Sequence, residues 1–299
     1  MKDNDEGIMQ KIAFRLVQKY IAGSTTASVL KTVRSLNNRG MHTTVTLLND
    51  RVSDLVKAKY NANAYSQIMR QIARLHLDSG ISLRPTQLGY LVDRSAFMKN
   101  IGELADMAKA NSIRMWIEAE PLVRNDKLLD AYFKVKRRHD DVGVEIIADS
   151  ETLSADTDML RKGDIVRLWY VSKLHNSRSA AKEHQKSIER LCASEAKVTV
   201  SSHDVKWLQR MMQNGTGKRN ITFEIPLGYG SGKLEKLTKS KGQLSVYVPY
   251  GKDWTHYLKN RIGDGRRRGL AIKMLADIDN GEKNGNGKGK SKGAAKAQR

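Results

Sequence analysis

Short apolar runs alternate with amphipathic segments along most of the chain. Eight runs are mostly rich in β-branched residues, as expected of strands buried on both faces. They cover residues 43–49, 81–84, 112–118, 142–148, 164–170, 197–202, 221–225 and 244–250. Each is followed by apolar residues at helical spacing, at 53–78, 91–110, 125–138, 153–162, 177–194, 203–213, 231–240 and 253–262. The sequence therefore predicts eight strands and eight helices in strict alternation.

Alternation of this kind favours a parallel sheet, and eight units close naturally into a (β/α)8 barrel of the TIM type. A doubly wound open sheet is the alternative. It usually carries a glycine-rich first turn, and none of the βα turns here reads GxGxxG. Two further helices are predicted ahead of the barrel, one at 8–20 and one that begins after the N-cap Ser24 and ends near Gly40. The predicted fold class is an α/β barrel preceded by N-terminal helices.

The composition is typical of a globular protein that can bury a substantial core. The chain has 299 residues, 39% of them hydrophobic, and no apolar stretch long enough to span a membrane or to act as a signal segment. The single cysteine, Cys192, lies in a helical pattern, where a small buried residue is more common than a reactive thiol. These features predict a cytoplasmic protein.

The charge is less usual, because 53 basic residues against 32 acidic ones give +21, which favours contact with anions. Residues 281–299 are rich in glycine and lysine and are predicted to be disordered. The remaining excess is dispersed along the chain, which argues against nucleic acid as the main partner. We therefore divide the chain into N-terminal helices (1–40), a barrel (41–280) and a disordered tail (281–299).

The active site of a (β/α)8 barrel is built at the carboxyl ends of its strands. The predicted strand ends carry Asn49, Asp50, Arg84, Glu118, Ala148, Asp149, Tyr170, Ser202, His203, Glu224 and Tyr250. His203 begins a helix whose N-terminus either binds phosphate or is simply capped by Ser202. Arg84 requires an anionic ligand or a protein carboxylate such as Glu118. No metal site is predicted.

The most distinctive stretch is VYVPYGKDWTHYLKNRI (246–262), in which Tyr257 and Arg261 share one helix face. Above a barrel mouth they would offer an aromatic wall and a guanidinium to a small carboxylate; a solvent-exposed pair is the alternative. This stretch resembles the C-terminal signature of the proline dehydrogenase family. Four other segments resemble family motifs in the same order: YIAGSTTASVLKTVRSLNNRGMHTTVTLLND (20–50), SLRPTQLG (82–89), SSHD (201–204) and FEIPLGYG (223–230).

The resemblance covers about residues 10–265 and implies a distorted (β/α)8 barrel with a C-terminal lid helix. Members of this family bind FAD and oxidise L-proline to pyrroline-5-carboxylate, passing electrons to a quinone. The resemblance assigns Arg84, Tyr257 and Arg261 to the substrate carboxylate and ring, and Ser202, His203, Asp204, Ile147 and Trp169 to the cofactor. Asp264 falls where the family often has an acid.

The chain also departs from the family pattern. The first of two carboxylate-binding arginines is replaced by Asn260, and the flavin-contacting arginine corresponds to about Thr152. Polar residues of the third, fourth and seventh strands correspond to Trp116, Ile147 and Pro226, and the fifth-strand turn reads YVSK (170–173). We therefore expect a divergent proline dehydrogenase, with a peripheral membrane contact if a quinone is the acceptor. The alternative is a catalytically altered or inactive barrel that binds a small carboxylate without flavin chemistry.

Overall fold

The computed structural model describes residues 18–49, 51–147, 152–170, 178–213, 221–229 and 244–253. Within these ranges, eight parallel strands form a closed barrel in which each strand pairs with the next and the last pairs with the first. The strands are β1 (His42–Leu47), β2 (Ser79–Leu83), β3 (Met115–Ile117), β4 (Val142–Ile147), β5 (Ile165–Tyr170), β6 (Lys197–Ser202), β7 (Ile221–Pro226) and β8 (Leu244–Tyr250). The predicted barrel is confirmed, and the open-sheet alternative is excluded.

One helix precedes β1, and the others follow the strands in the predicted order. They are α1 (Thr26–Asn37), α2 (Leu55–Arg74), α3 (Arg94–Ala110), α4 (Asn125–Lys136), α5 (Leu153–Asp158), α6 (Arg178–Ala193) and α7 (Val205–Gln213), with a short 3₁₀ helix at Pro85–Leu88. Nearly all of the predicted helices at 8–20, 231–240 and 253–262, and the whole predicted tail at 281–299, lie outside the described residues. In the described part of the chain, no helix has the length and apolarity needed to cross a membrane.

Two local predictions are corrected by the structure. The N-cap of α1 is Thr25 rather than Ser24: the Oγ1 of Thr25 accepts a hydrogen bond from the backbone N–H of Ser28, and the Ser28 hydroxyl accepts one from Thr25 N–H. This reciprocal pair satisfies two backbone donors that a helix start leaves open. Cys192 is half-buried on α6 rather than fully buried in the core.

Alternate side chains of the strands point into the barrel, and several of them are unusually polar. Trp116 on β3 fills part of this interior with a ring that lies against Gly143 on β4. A methyl group added at Gly143 would come within 2.6 Å of that ring, so glycine is required there by the close approach. The barrel interior thus contains both a large aromatic ring and, as described next, buried charges.

Candidate active site

A fully buried arginine, Arg167 on β5, lies at the centre of the barrel. Its Nε donates to Glu145 on β4 at 2.7 Å, its Nη1 to Glu224 on β7 at 3.3 Å, and its Nη2 to the Ser82 hydroxyl on β2 at 2.6 Å. β2 and β7 are not neighbours of β5, so these contacts run across the interior. A buried guanidinium is tolerated when its donors are satisfied in this way.

A second layer lies nearer the carboxyl ends of the strands. Arg84, just beyond β2, donates from Nε to Glu118 Oε2 at 3.0 Å. The Tyr247 hydroxyl on β8 donates across the barrel to the other oxygen of Glu118 at 2.8 Å, and Arg167 Nη2 lies 3.9 Å from that same oxygen. Glu118 therefore links the arginine at the barrel mouth to the charged interior, and it is the protein carboxylate that the sequence suggested for Arg84.

The carboxyl groups of the two layers have different pKa values. Burial raises the pKa of Glu118, but Arg84 and Arg167 lower it more, so its pKa lies below the usual range. Burial lowers the pKa of Arg84, but Glu118, Tyr247 and Glu120 together raise it more, so its pKa is raised overall. The pair at the mouth is therefore ionised at neutral pH.

Glu145 behaves differently, although it also contacts a guanidinium. Burial raises its pKa most, Arg167 opposes this, and the nearby carboxylates Glu118 and Glu224 raise it further, to about 7. Arg167 thus faces three carboxylates, and Glu145 is the one among them that binds a proton near neutral pH. The interior therefore gains a full negative charge as the pH rises through neutrality.

Aromatic side chains form a wall at the ends of β5 to β7. The His203 ring packs edge-on against Trp169 at 4.9 Å and against Tyr229 at 5.0 Å between ring centroids. Trp169 also contacts the Tyr247 ring at 6.2 Å, and Ile147 lies beside Trp169 in the register of β4 and β5. His203, Trp169 and Ile147 are each partly exposed, so this wall combines apolar area with access from outside.

The start of α7 is already capped by the chain itself. The Ser202 hydroxyl accepts from the backbone N–H of Asp204 at 3.0 Å, and the Asp204 carboxylate accepts from the backbone N–H of Trp207 at 3.0 Å. A carboxylate at this position satisfies a backbone N–H of the first turn and neutralises the partial positive charge at the start of the helix. The helix therefore begins at Val205 with Asp204 as its N-cap, rather than at His203 with Ser202 as the cap, and its capped start is a poor site for a phosphate.

Other predicted strand-end residues have structural contacts. The backbone carbonyl of Asn49 accepts from the Gln87 side chain at 2.6 Å, Tyr170 stacks on Trp207 at 4.1 Å, and Tyr250 is buried. Several predicted residues lie outside the described ranges: Asp50, Ala148, Asp149, Tyr257, Asn260, Arg261 and Asp264. The predicted substrate group is therefore represented here by Arg84.

Sequence reasoning missed Arg167, Glu145 and Tyr247 as members of this site. Arg167 and Glu145 each stand inside an apolar strand run, DIVRLWY and VGVEIIA. A charge in a strand that is buried on both faces requires a partner inside the barrel. These two charges could therefore have indicated a buried ion pair in the interior. Tyr247 gives no comparable signal, because aromatic residues are common in buried strands.

Comparison with known proteins provides relatives at low identity. No protein-family model matches the chain. Proline dehydrogenase 2 of Bacillus subtilis is 25% identical over 258 residues, which are 82% of this chain and 85% of that protein. Proline dehydrogenase 1 of the same species is 23% identical over 259 residues, with coverage of 83% and 86%. The chain is thus similar to two proline dehydrogenases over more than four-fifths of its length, at low identity.

Solved structures with a similar fold also match this chain. Proline utilization A (PutA) from Bdellovibrio bacteriovorus, inactivated by N-propargylglycine, matches 88% of the chain with a TM-score of 0.75 and 13% identity. PutA from Corynebacterium freiburgense matches 87% with a TM-score of 0.64 and 14% identity. The chain spans about a third of the length of these PutA chains (34% and 32%). At these identities the likeness shows a shared barrel.

Proposed function

We propose that the chain is a proline dehydrogenase-type flavoenzyme that oxidises L-proline, or a similar small secondary-amine acid, to pyrroline-5-carboxylate. The relation to two proline dehydrogenases over more than four-fifths of the chain supports the reaction class. The observation that carries the proposal for this site is the guanidinium of Arg84, oriented at the barrel mouth by Glu118. An oriented guanidinium is suited to the carboxylate of an amino acid.

The Arg84 side chain is arranged for such a ligand. It is 28% exposed, whereas Glu118 is 6% exposed, so the cation faces the outside and the carboxylate supports it from below. Among the described residues, Glu118 is the sole hydrogen-bond partner of the Arg84 guanidinium, and it engages Nε. The two terminal nitrogens are left for a substrate carboxylate. The family resemblance assigns Tyr257 and Arg261 to the substrate ring and carboxylate.

The aromatic wall fits a flavin ring. Trp169, His203 and Ile147 give a partly exposed surface with large rings and few charges, which suits a planar aromatic group. Asp204 caps α7 and the Ser202 hydroxyl accepts from the N–H of Asp204, so we assign both residues to the positioning of His203 and place the pyrophosphate elsewhere. When bound, FAD supplies the acceptor for the hydride that leaves the carbon beside the substrate nitrogen. Arg84 and the wall hold substrate and ring in fixed positions and exclude water between them.

We extend the proposal to a quinone-type electron acceptor reached at a membrane surface. Apolar side chains are exposed together where β1 and β2 lead into α2 and α3, including Val56 at 81% and Tyr60 at 70% exposure. A methyl group added at Gly89 would lie 3.2 Å from Ala58 and 3.8 Å from Leu55, which shows that these two connections touch. The apolar surface comprises Leu55, Val56, Tyr60, Leu91 and Val92. Three cations lie among these residues: Lys57, which pairs with Asp54, Lys59, which pairs with Glu103, and Arg94. Apolar residues edged by cations suit an anionic bilayer.

The test begins with the absorption spectrum of the purified full-length chain, before and after addition of FAD. We expect flavin bands that stay with the protein on gel filtration, and reduction of an artificial dye when proline is added. Arg84→Met should raise the KM for proline strongly while the flavin bands remain, and Arg70→Met, which removes an exposed arginine of α2, serves as the matched control. A chain that stays colourless after FAD addition and reduces no dye would instead support the altered barrel that binds a small carboxylate.

A further inference from the structure

A cavity of about 600 Å³ opens at the end of the barrel opposite the aromatic wall. Its entrance lies at the amino ends of the strands, beside His42 and Asp78, and its inner part is lined by Thr199, Thr222, Ser245 and Glu224. We call this space the lower cavity. It is separated from the barrel mouth by the layer that contains Arg167, so it is distinct from the proposed proline site.

The lower cavity exists because inward positions that usually carry bulky branched residues carry small hydroxyl residues here. Thr44, Thr199, Thr222 and Ser245 come from four different strands, and all line the space. The Thr199 and Thr222 hydroxyls lie 2.7 Å apart, so each offers a polar atom already held in place by a neighbour. A cavity with a hydroxyl lining is suited to a polar ligand.

The inner end of the cavity carries a carboxylate that is only partly satisfied. Glu224 is 1% exposed, and its Oε1 accepts from Arg167 at 3.3 Å and from the Ser201 hydroxyl at 3.2 Å. Its Oε2 has one hydrogen-bond partner among the described residues, the Ser245 hydroxyl at 3.5 Å. A buried carboxylate oxygen with one long contact has capacity for a further donor.

Charge balance specifies the kind of donor. The connected interior holds three carboxyl groups (Glu118, Glu145 and Glu224) and two guanidiniums (Arg84 and Arg167), so it carries one unbalanced negative charge above neutral pH, where Glu145 has lost its proton. At the entrance, the His42 ring lies 2.6 Å from the Asp78 carboxylate, and Arg114 pairs with Asp141 at 3.7 Å. Within the described ranges, no group of three histidine, cysteine or acidic side chains could hold a metal ion. The chemistry therefore favours a small organic cation.

We propose that the lower cavity binds a small ammonium compound, whose N–H groups donate to Glu224 Oε2 and to the hydroxyls of Ser245 and Thr222. This site is independent of the proposed oxidation of proline at the opposite end of the barrel. A ligand that also carries a hydroxyl group matches the remaining lining best. Quaternary ammonium ions lack N–H donors and should therefore bind poorly.

The test uses ethanolammonium chloride as the probe, with tetramethylammonium chloride at the same ionic strength as the comparison. We expect ethanolammonium to raise the Tm of the full-length chain with a saturable concentration dependence, and tetramethylammonium to give no saturable shift. Calorimetric titration measures the affinity directly. Absence of saturable ethanolammonium binding, or equal binding of the two cations, would overturn the proposal.

Variants locate the site without removing the partner of Arg167. Thr222→Met fills the lower cavity and should weaken the affinity about tenfold or more, whereas Thr26→Met, on the exposed start of α1, should leave it unchanged. If Thr222→Met does not fold, Thr222→Val retains the volume, removes one hydroxyl, and should also weaken binding. Unchanged affinity in a folded Thr222 variant would show that ethanolammonium binds elsewhere and would refute the assignment.

Discussion

The proton shared by the buried interior can be tested through stability, with Glu145→Gln as the perturbation. In the wild-type chain, Glu145 accepts from Arg167 Nε at 2.7 Å. Glutamine has nearly the same shape and retains an oxygen that can accept this hydrogen bond, but it cannot ionise. At pH 5 the glutamate is protonated and neutral in the folded chain, so the two side chains are close to equivalent. At pH 8 the folded wild-type chain holds a carboxylate there, and the variant does not.

The magnitude follows from the two pKa values. Burial and neighbouring carboxylates raise the pKa of Glu145 from its ordinary value of 4.5 to about 7 in the folded chain. Between these pH values the folded chain binds more protons than the unfolded chain, so the wild type loses stability as the pH rises. The difference corresponds to about 3 kcal/mol, with each pKa unit worth about 1.4 kcal/mol. The contribution is fully present below pH 4.5 and is lost as the pH rises through 7.

The assay is urea denaturation followed by circular dichroism at pH 5 and pH 8. Relative to wild type, the free energy of unfolding of Glu145→Gln should increase from pH 5 to pH 8 by up to about 3 kcal/mol. Glu189→Gln on the exposed face of α6 is the control, and its difference from wild type should stay constant. If the Glu145→Gln difference is the same at both pH values, Glu145 does not hold a proton near neutrality and the reasoning fails.

Two further predictions concern the mouth and the core. Glu118→Gln weakens the charge-assisted contact that orients Arg84, so the KM for proline should rise about tenfold while kcat changes less, measured by dye reduction; an unchanged KM in a folded variant would contradict the proposed role of the pair. Gly143→Ala places a methyl group 2.6 Å from the Trp116 ring and should cost about 1–3 kcal/mol in urea denaturation, whereas Gly102→Ala, which meets nothing within 4 Å, should be neutral or stabilising. Equal stability of the two alanine variants would show that the ring moves aside freely.

The barrel itself was readable from the sequence because its strands are buried on both faces and its helices are amphipathic. Predicted and observed strands agree within one or two residues, except that β3 begins at Met115 rather than at residue 112. The start of α1 was misplaced by one residue because Ser24 and Thr25 are both good capping residues, and the side-chain pairing with Ser28 decides between them.

The site was only partly readable. The pairing of Arg84 with Glu118 was predictable from the sequence, because a half-buried cation requires an anionic partner. The family resemblance places polar residues at three strand positions where this chain has Trp116, Ile147 and Pro226. The structure supplies carboxylates two residues away on the same inward faces, at Glu118, Glu145 and Glu224. Alternation along a strand makes such a displacement possible, and linear correspondence with relatives does not reveal it.

The contacts of Arg167 also bear on how the chain can fold. Its three strong partners come from β2, β4 and β7, and Ser82 and Glu224 lie 85 and 57 residues away along the chain. A half-barrel that contains β5 would therefore enclose a guanidinium that lacks partners from the other half. Desolvating a charge in that state is costly, so intermediates with an incomplete ring of strands are disfavoured. The buried arginine thus favours the closed ring over partial ones, and it opposes division of the chain into independently stable halves.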